Sequence, residues 1–240
     1  MRNKLAQAFL DIILPRNCIV CGKELSLQES HVCTGCLADL PRTHFSQLRR
    51  NPMADRFNSL PDMPGGYGYA YATALFYYRA GTGYRNITRR LKYHSDTGAG
   101  RFFGRMLGRE MAGSALFRDV DAVVPVPLHW TRRWSRGYNQ ADVIAKELAI
   151  SLDAAILPKV LVRCRRTRTQ TMLSVGNKAL NVAGAFRMKD RADLSVYSHV
   201  LLVDDVFTTG ATLSECYKAI VASGRGPGRI SVATLAFTGG

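Results

Sequence analysis

The chain has 240 residues, 47% of them hydrophobic, with 33 basic and 18 acidic side chains and a formal net charge of +15. That length and apolar content support one large domain or two smaller ones around a sizeable core, and the lack of any run of 18 apolar residues excludes a membrane-spanning helix. The charge is uneven, net +2 over residues 1–66 and net +13 over 67–240, so the second part suits phosphates on a small molecule or on nucleic acid; the plain alternative is a solvated basic surface in an arginine-rich proteome.

The first segment, MRNKLAQAFLDIILPRNC, is apolar in places, but Asp11 and Pro15 interrupt it and no small-residue cleavage site follows. It reads as a short amphipathic helix rather than a signal peptide, which places the protein in the cytoplasm. Next come Cys18, Cys21, Cys33 and Cys36, two C-x2-C pairs separated by eleven residues, with Gly22 and Gly35 beside them to allow the turns. In a reducing compartment this spacing points to a closed tetrahedral site and a structural zinc. An iron–sulfur cluster and a redox pair are the alternatives. With so little net charge the module reads as a folding clip rather than a nucleic-acid reader. His31 lies between the pairs and is not counted as a ligand; Cys164 and Cys216 read as plain thiols.

The stretch RRNPMADRFNSLPDMPGGYG shows no sustained period and reads as a linker or long surface loop. Domains are expected at residues 1–60 (N-terminal helix and metal module) and 67–240. The second then alternates. YAYATALFYY (69–78) predicts a strand, YRNITRRLKYH and GRFFGRMLGREMAG predict helices, and VDAVVPVPL (120–128) predicts a buried strand. A helix over 139–152, a strand over 157–163, a nearly unbroken apolar strand over 199–205, a helix over 210–224 closed by Gly224 and a final strand over 229–237 follow. Strands alternating with helices, and unbroken apolar strands, predict an α/β fold with a parallel sheet covered on both faces.

The most informative stretch is LLVDDVFTTGATL (201–213). Asp204 and Asp205 fall at the carboxyl end of an apolar parallel strand, the edge at which open α/β sheets bind ligands. Successive strand residues point to opposite faces, so the two acids are expected to do different work. Thr208, Thr209, Gly210, Ala211 and Thr212 then lead into a helix, whose N–H groups and dipole suit an anion. Acids for hydroxyls beside donors for a phosphate fit a ribose 5-phosphate.

This stretch resembles the phosphoribosyl-diphosphate (PRPP) signature of type I phosphoribosyltransferases. VVPVPLHWTRRWSRGYNQA (123–141), RTRTQTMLSVGNKALNVAGAF (166–186) and the four-cysteine module resemble the ComF family of phosphoribosyltransferase-like proteins with an N-terminal double zinc ribbon. The resemblance implies a type I phosphoribosyltransferase-like domain and a link to natural competence and the uptake of DNA. Family members often carry an acid–arginine pair where this sequence has Asn177 and Lys178, so the positive charge is kept and the acid is not.

Beside that resemblance, roles can be assigned. The 5-phosphate is expected on Thr208, Thr209, Gly210, Ala211 and Thr212, the ribose hydroxyls on Asp204 and Asp205, and Mg2+ on the diphosphate, whose charge needs neutralising. Arg133 and Arg136 are candidate diphosphate clamps. The run Arg163, Arg165, Arg166, Arg168 with Gln170 resembles a loop that closes over the site and excludes water. If the protein is an enzyme, it transfers phosphoribosyl from PRPP to an acceptor with loss of diphosphate; Asp205 is the better general-base candidate, and His94 and His129 are read as surface or structural residues. No stretch identifies the acceptor. Two other classes stay open. One is a non-catalytic single-stranded DNA binding competence factor that uses Tyr84, Tyr93, Phe102, Phe103, Trp130, Trp134 and Tyr138 beside its arginines. The other is a PRPP-sensing regulator. Other competence proteins are candidate partners, and the oligomeric state cannot be read.

Overall fold

The computed structural model describes residues 16–79, 81–93, 96–128, 137–164 and 183–239. Five parallel strands form its centre: β1 (Ala72–Tyr77), β2 (Ala122–Pro125), β3 (Ala155–Ile156), β6 (His199–Phe207) and β7 (Arg229–Phe237), in the order β1-β7-β6-β2-β3. A separate antiparallel pair, β4 (Leu161–Arg163) and β5 (Phe186–Met188), flanks it. The helices are α1 (Thr34–Ala38), α2 (Pro52–Asn58), α3 (Arg85–Tyr93), α4 (Thr97–Ala112), α5 (Gln140–Leu152) and α6 (Ala211–Val221).

Alternation along the strands builds two cores, one on each sheet face. Leu201 and Val203 of β6 enter the core formed with α4 and α5, while Val200 and Leu202 enter the one formed with α2 and α6. The expected parallel sheet covered on both faces is thus present. Helices α4 and α5 pack closely because Gly100, Gly104 and Gly108 form a bare stripe against Val143, Glu147 and Ser151; a Cβ on Gly108 would lie 2.4 Å from the Ser151 hydroxyl.

Two expectations change. The 49–68 stretch is not all loop: Asn51 caps α2 through the N–H groups of Met53 and Ala54, Pro52 begins it, and Met53, Ala54 and Phe57 are buried. Pro at the first helical position costs nothing because its N–H would be unpaired anyway. The expected strand over 157–163 shrinks to Leu161–Arg163 and pairs with β5 rather than with the main sheet. The N-terminal helix expected over the first residues lies outside the described residues.

The winding of the sheet places the site. From β2 the chain passes through α5 to β3 at one edge, and from β6 through α6 to β7 on the other side, with α5 and α6 in opposite-face cores. The direction of winding therefore reverses between neighbours β2 and β6. The carboxyl ends of these two strands line one crevice there, the usual ligand position in such sheets.

Candidate functional site

The crevice is a cavity of about 460 Å3, within the range of small-molecule sites. Its floor comes from the ends of β2 and β6, namely Val126, Pro127, Leu128, Asp204, Asp205 and Val206; Thr208 and Thr212 extend it toward α6, and Arg89 and Lys92 of α3 and Arg163 of β4 form the wall. Both acids line this one cavity, despite the alternation of the strand that carries them. They remain different. Asp205 is buried, and its Oδ2 lies 3.0 Å from the Lys92 ammonium. Asp204 is half-buried, and its Oδ1 accepts the Asp205 N–H at 2.8 Å. Burial, followed by the neighbouring Asp205 charge, pushes the Asp204 carboxyl up to about 7, against the opposing pull of the Asp205 N–H, Lys92 and Arg163.

The loop after β6 is held from behind. The Thr238 N–H donates to the Phe207 carbonyl at 2.9 Å, and the Arg56 guanidinium donates to the carbonyls of Thr208 at 3.2 Å and Thr238 at 3.1 Å. Gly210 caps α6 at φ +82. Any Cβ there would strike the Phe207 ring at 2.6 Å and Leu60 at 3.0 Å, so the turn requires glycine. The first intrahelical bond runs from the Ser214 N–H to the Gly210 carbonyl, and the amides of residues 211–213 precede it. Thr209 turns inward on its own loop, its Oγ1 accepting from the Ala211 N–H at 3.4 Å. Arg133, Arg136 and Arg166, together with Asn177, Lys178, His94 and His129, lie outside the described residues.

The four cysteines converge. The Sγ atoms of Cys18, Cys21, Cys33 and Cys36 all lie within 4.8 Å of one another, and Cys21 and Cys33 are 3.7 Å apart. Tetrahedral zinc–thiolate bonds of about 2.3 Å imply sulfur–sulfur spacings of about 3.8 Å, so the cluster can hold a metal such as zinc. His31 instead packs its ring on Phe102, centroids 5.7 Å apart. The module is not a free appendage. Ile19, Leu25, Val32 and Leu40 share a core with Ile87 of α3 and Phe103 of α4, the Tyr84 hydroxyl donates to the Cys36 carbonyl, and Asn86 donates to the Ile19 carbonyl.

Among the aromatics considered for base stacking, Phe103 is fully buried, Tyr84 and Phe102 pack against the same core, and the Tyr138 hydroxyl donates to the Leu91 carbonyl. Tyr93 differs: 70% of it is exposed. It lines both the acid-pair cavity and a second cleft, of about 620 Å3, between the cysteine module and α3. Trp130 and Trp134 lie outside the described residues. Sequence reading missed Lys92, Arg89 and Arg56 as site residues. Each sits in an element whose distance from the acid pair in sequence hides its proximity in space.

No family model matches the chain. It is 34% identical to Competence protein F of Haemophilus influenzae over 137 residues, which is 56% of this chain and 60% of that protein. It is 38% and 36% identical to the DNA utilization protein YhgH of Salmonella typhi and of Escherichia coli over 105 residues, 43% of this chain and 44% of each relative. The matches thus span about half the length of these curated relatives. Among solved structures, adenine phosphoribosyltransferases of Leishmania tarentolae and Trypanosoma brucei align at 13% and 11% identity with TM-scores of 0.33 and 0.36, covering 63% and 79% of this chain and 74% and 81% of theirs. Scores that low carry no weight, and the fold rests on the sheet order given above. By sequence, the chain is similar to Competence protein F and to the YhgH DNA utilization proteins over about half of their length, in line with the resemblance to the ComF family.

Proposed function

We propose that this protein binds phosphoribosyl diphosphate with Mg2+ at the carboxyl ends of β2 and β6, as a phosphoribosyltransferase-like protein of the ComF type serving competence and the handling of incoming DNA in the cytoplasm. One observation carries the reading: an acid pair at the topological switch of a parallel sheet runs directly into a glycine-capped helix N-terminus, in one cavity. Asp204 and Asp205 accept the ribose hydroxyls, and the loop of residues 208–212 receives the 5-phosphate. Mg2+ neutralises the diphosphate. In this reading residues 1–60 carry the metal module, with structural zinc on its four cysteines, and 67–240 the phosphoribosyl unit.

In the transfer, the bond from the anomeric carbon to the diphosphate oxygen breaks as the bond to the acceptor forms. The protein's work is to stabilise the departing charge and the cationic sugar. Asp204 is the carboxyl placed to exchange a proton near neutral pH, because Asp205 is ion-paired with Lys92. This reverses the sequence-based preference for Asp205. The test is ligand-induced stabilisation. A folded-state ligand at 100 times its Kd raises stability by about 2.7 kcal/mol, so saturating Mg2+ and PRPP should raise the melting temperature while Mg2+ alone should not. An unchanged melting temperature at millimolar PRPP would sink the reading. Diphosphate release across a panel of nucleobases then identifies the acceptor.

A second reading has its own support. Exposed Tyr93 stands beside exposed Arg89 and Arg90 at the cleft by the cysteine module, a stacking ring among cations suited to single-stranded DNA. Such binding weakens steeply with salt, and Tyr93→Ala should weaken it in a fluorescence anisotropy titration.

A further inference from the structure

We propose that the cysteine module is the seat that positions α3, and through it Lys92 against Asp205, so that metal binding at the four cysteines and ligand binding at the acid pair are linked. The ligand half of the inference rests on the PRPP reading; the seat itself does not. Helix α3, RNITRRLKY, is nine residues long and buries only Ile87, Thr88 and Leu91. A helix that short does not hold itself in water, so its position comes from its neighbours. At its start those neighbours belong to the module. The Asn86 side chain donates to the Ile19 carbonyl at 3.3 Å, and the Tyr84 hydroxyl donates to the Cys36 carbonyl at 3.0 Å. Gly83 presses directly on Val20, between Cys18 and Cys21, and a Cβ there would collide with the Val20 carbonyl. The first turn of α4 docks in the same way, since a Cβ on Gly98 would lie 2.9 Å from the His31 ring.

Each of these partners sits at a cysteine: Ile19 follows Cys18, Val20 precedes Cys21, and Cys36 is itself one of the four. A bound metal fixes the two C-x2-C turns relative to each other, and so fixes the carbonyls on which α3 rests. Lys92 lies less than two turns beyond Asn86, about 9 Å along the helix axis. Its ammonium is 3.0 Å from Asp205 Oδ2, a distance that a small slide or tilt of α3 would break. The far end of α3 has a second tie, because the Gln140 side chain donates to the Leu91 carbonyl at 3.1 Å and the Tyr138 hydroxyl donates to the same oxygen. The module's tie is the broader one, with two hydrogen bonds, the Gly83 contact and Ile87 in the shared core. Gly83, Tyr84 and Asn86 are therefore positioning residues, and none of them lines the acid-pair cavity. Linkage between two sites is reciprocal: if metal raises the affinity for PRPP, PRPP raises the affinity for metal by the same factor.

The test uses the full chain with two readouts. Zinc affinity is measured by competition with a chelating dye, with and without saturating Mg2+ and PRPP, on the wild type and on Tyr84→Phe/Asn86→Ala, which removes both hydrogen bonds to the module but no cysteine. Amide hydrogen exchange over α3, read by mass spectrometry on the zinc-loaded proteins, follows the seat without any ligand. The proposal predicts that PRPP tightens zinc binding at least fivefold in the wild type, within the usual range of such couplings, and less than about twofold in the double variant. It also predicts that the variant keeps one zinc per chain and exchanges its α3 amides at least tenfold faster than the wild type, with β7 unchanged. Should the double variant not fold, Tyr84→Phe alone should shift both readouts in the same direction. Wild-type α3 protection in a zinc-loaded variant would overturn the seat, since Gln140 and Tyr138 would then suffice to hold the helix. Zinc affinity indifferent to PRPP, in a wild type that binds PRPP, would overturn the linkage. A wild type that binds no PRPP would sink the PRPP reading and the linkage with it, while faster exchange in the variant would still uphold the seat.

Discussion

Replacing Gly210 by alanine tests the geometry of the loop that follows the acid pair. Its φ of +82 lies in the left-handed region, where a side chain costs an L-residue about 1–2 kcal/mol. The added methyl would lie 2.6 Å from the Phe207 ring and 3.0 Å from Leu60. Phe207 is itself packed against Phe57 and Phe237 and cannot swing away cheaply, so overpacking adds about 1–3 kcal/mol. The expected loss is about 2–5 kcal/mol, a large part of the ~5–15 kcal/mol that holds a domain folded. Urea unfolding followed by circular dichroism measures it, and ribose 5-phosphate binding should fall as well, because the loop must shift to relieve the contact. A loss below about 1 kcal/mol would refute the argument that this turn has no room for a Cβ.

Further outcomes follow from other parts of the molecule. Chelation, or Cys33→Ser, should release one zinc per chain and lower the melting temperature of the whole protein rather than of a separate unit, because Ile19, Leu25, Val32 and Leu40 share a core with α3 and α4; metal analysis with calorimetry checks both. His199, buried between Asp119 and Ser231 at 2.8 Å each, has its pKa lowered by burial from an ordinary 6.5, so the unfolded chain binds its proton first and stability should fall as pH drops below about 6.5. His199→Gln should flatten part of that fall in urea titrations from pH 5 to 8 and cost about 1–3 kcal/mol at pH 8. Asp204 has the opposite sign: its carboxyl, raised from 3.8 to about 7, holds a proton in the folded state that the unfolded chain has lost. Asp204→Asn should therefore stabilise the ligand-free protein above pH 7, by less than about 4 kcal/mol, while losing PRPP. Arg56→Met should weaken ribose 5-phosphate binding with little effect on diphosphate, because its guanidinium holds the Thr208 carbonyl.

The sequence displayed much of this architecture where a single local pattern decides the outcome. The unbroken apolar run of β6 announced a central parallel strand, the paired C-x2-C spacing announced the thiol cluster, and the helix expected over 139–152 is present as α5. What stayed hidden depends on contacts distant in sequence. Helix α2 is seven residues long, too short to show a period, although Asn51-Pro52 was a legible start signal. Strand β4 owes its pairing to β5, more than twenty residues later. Lys92 read as an ordinary helix residue, because nothing near it shows that α3 lies over an acid pair more than a hundred residues away.

The central claim is that the acid pair and its loop bind phosphoribosyl diphosphate. Calorimetric titration of the zinc-loaded protein with Mg2+ and PRPP, beside the Asp204→Asn/Asp205→Asn double variant, tests it most directly. The account predicts one site per chain in the native protein and none in a double variant that melts as a folded protein. Equal binding by both, or no binding by the native protein at millimolar PRPP, would contradict it.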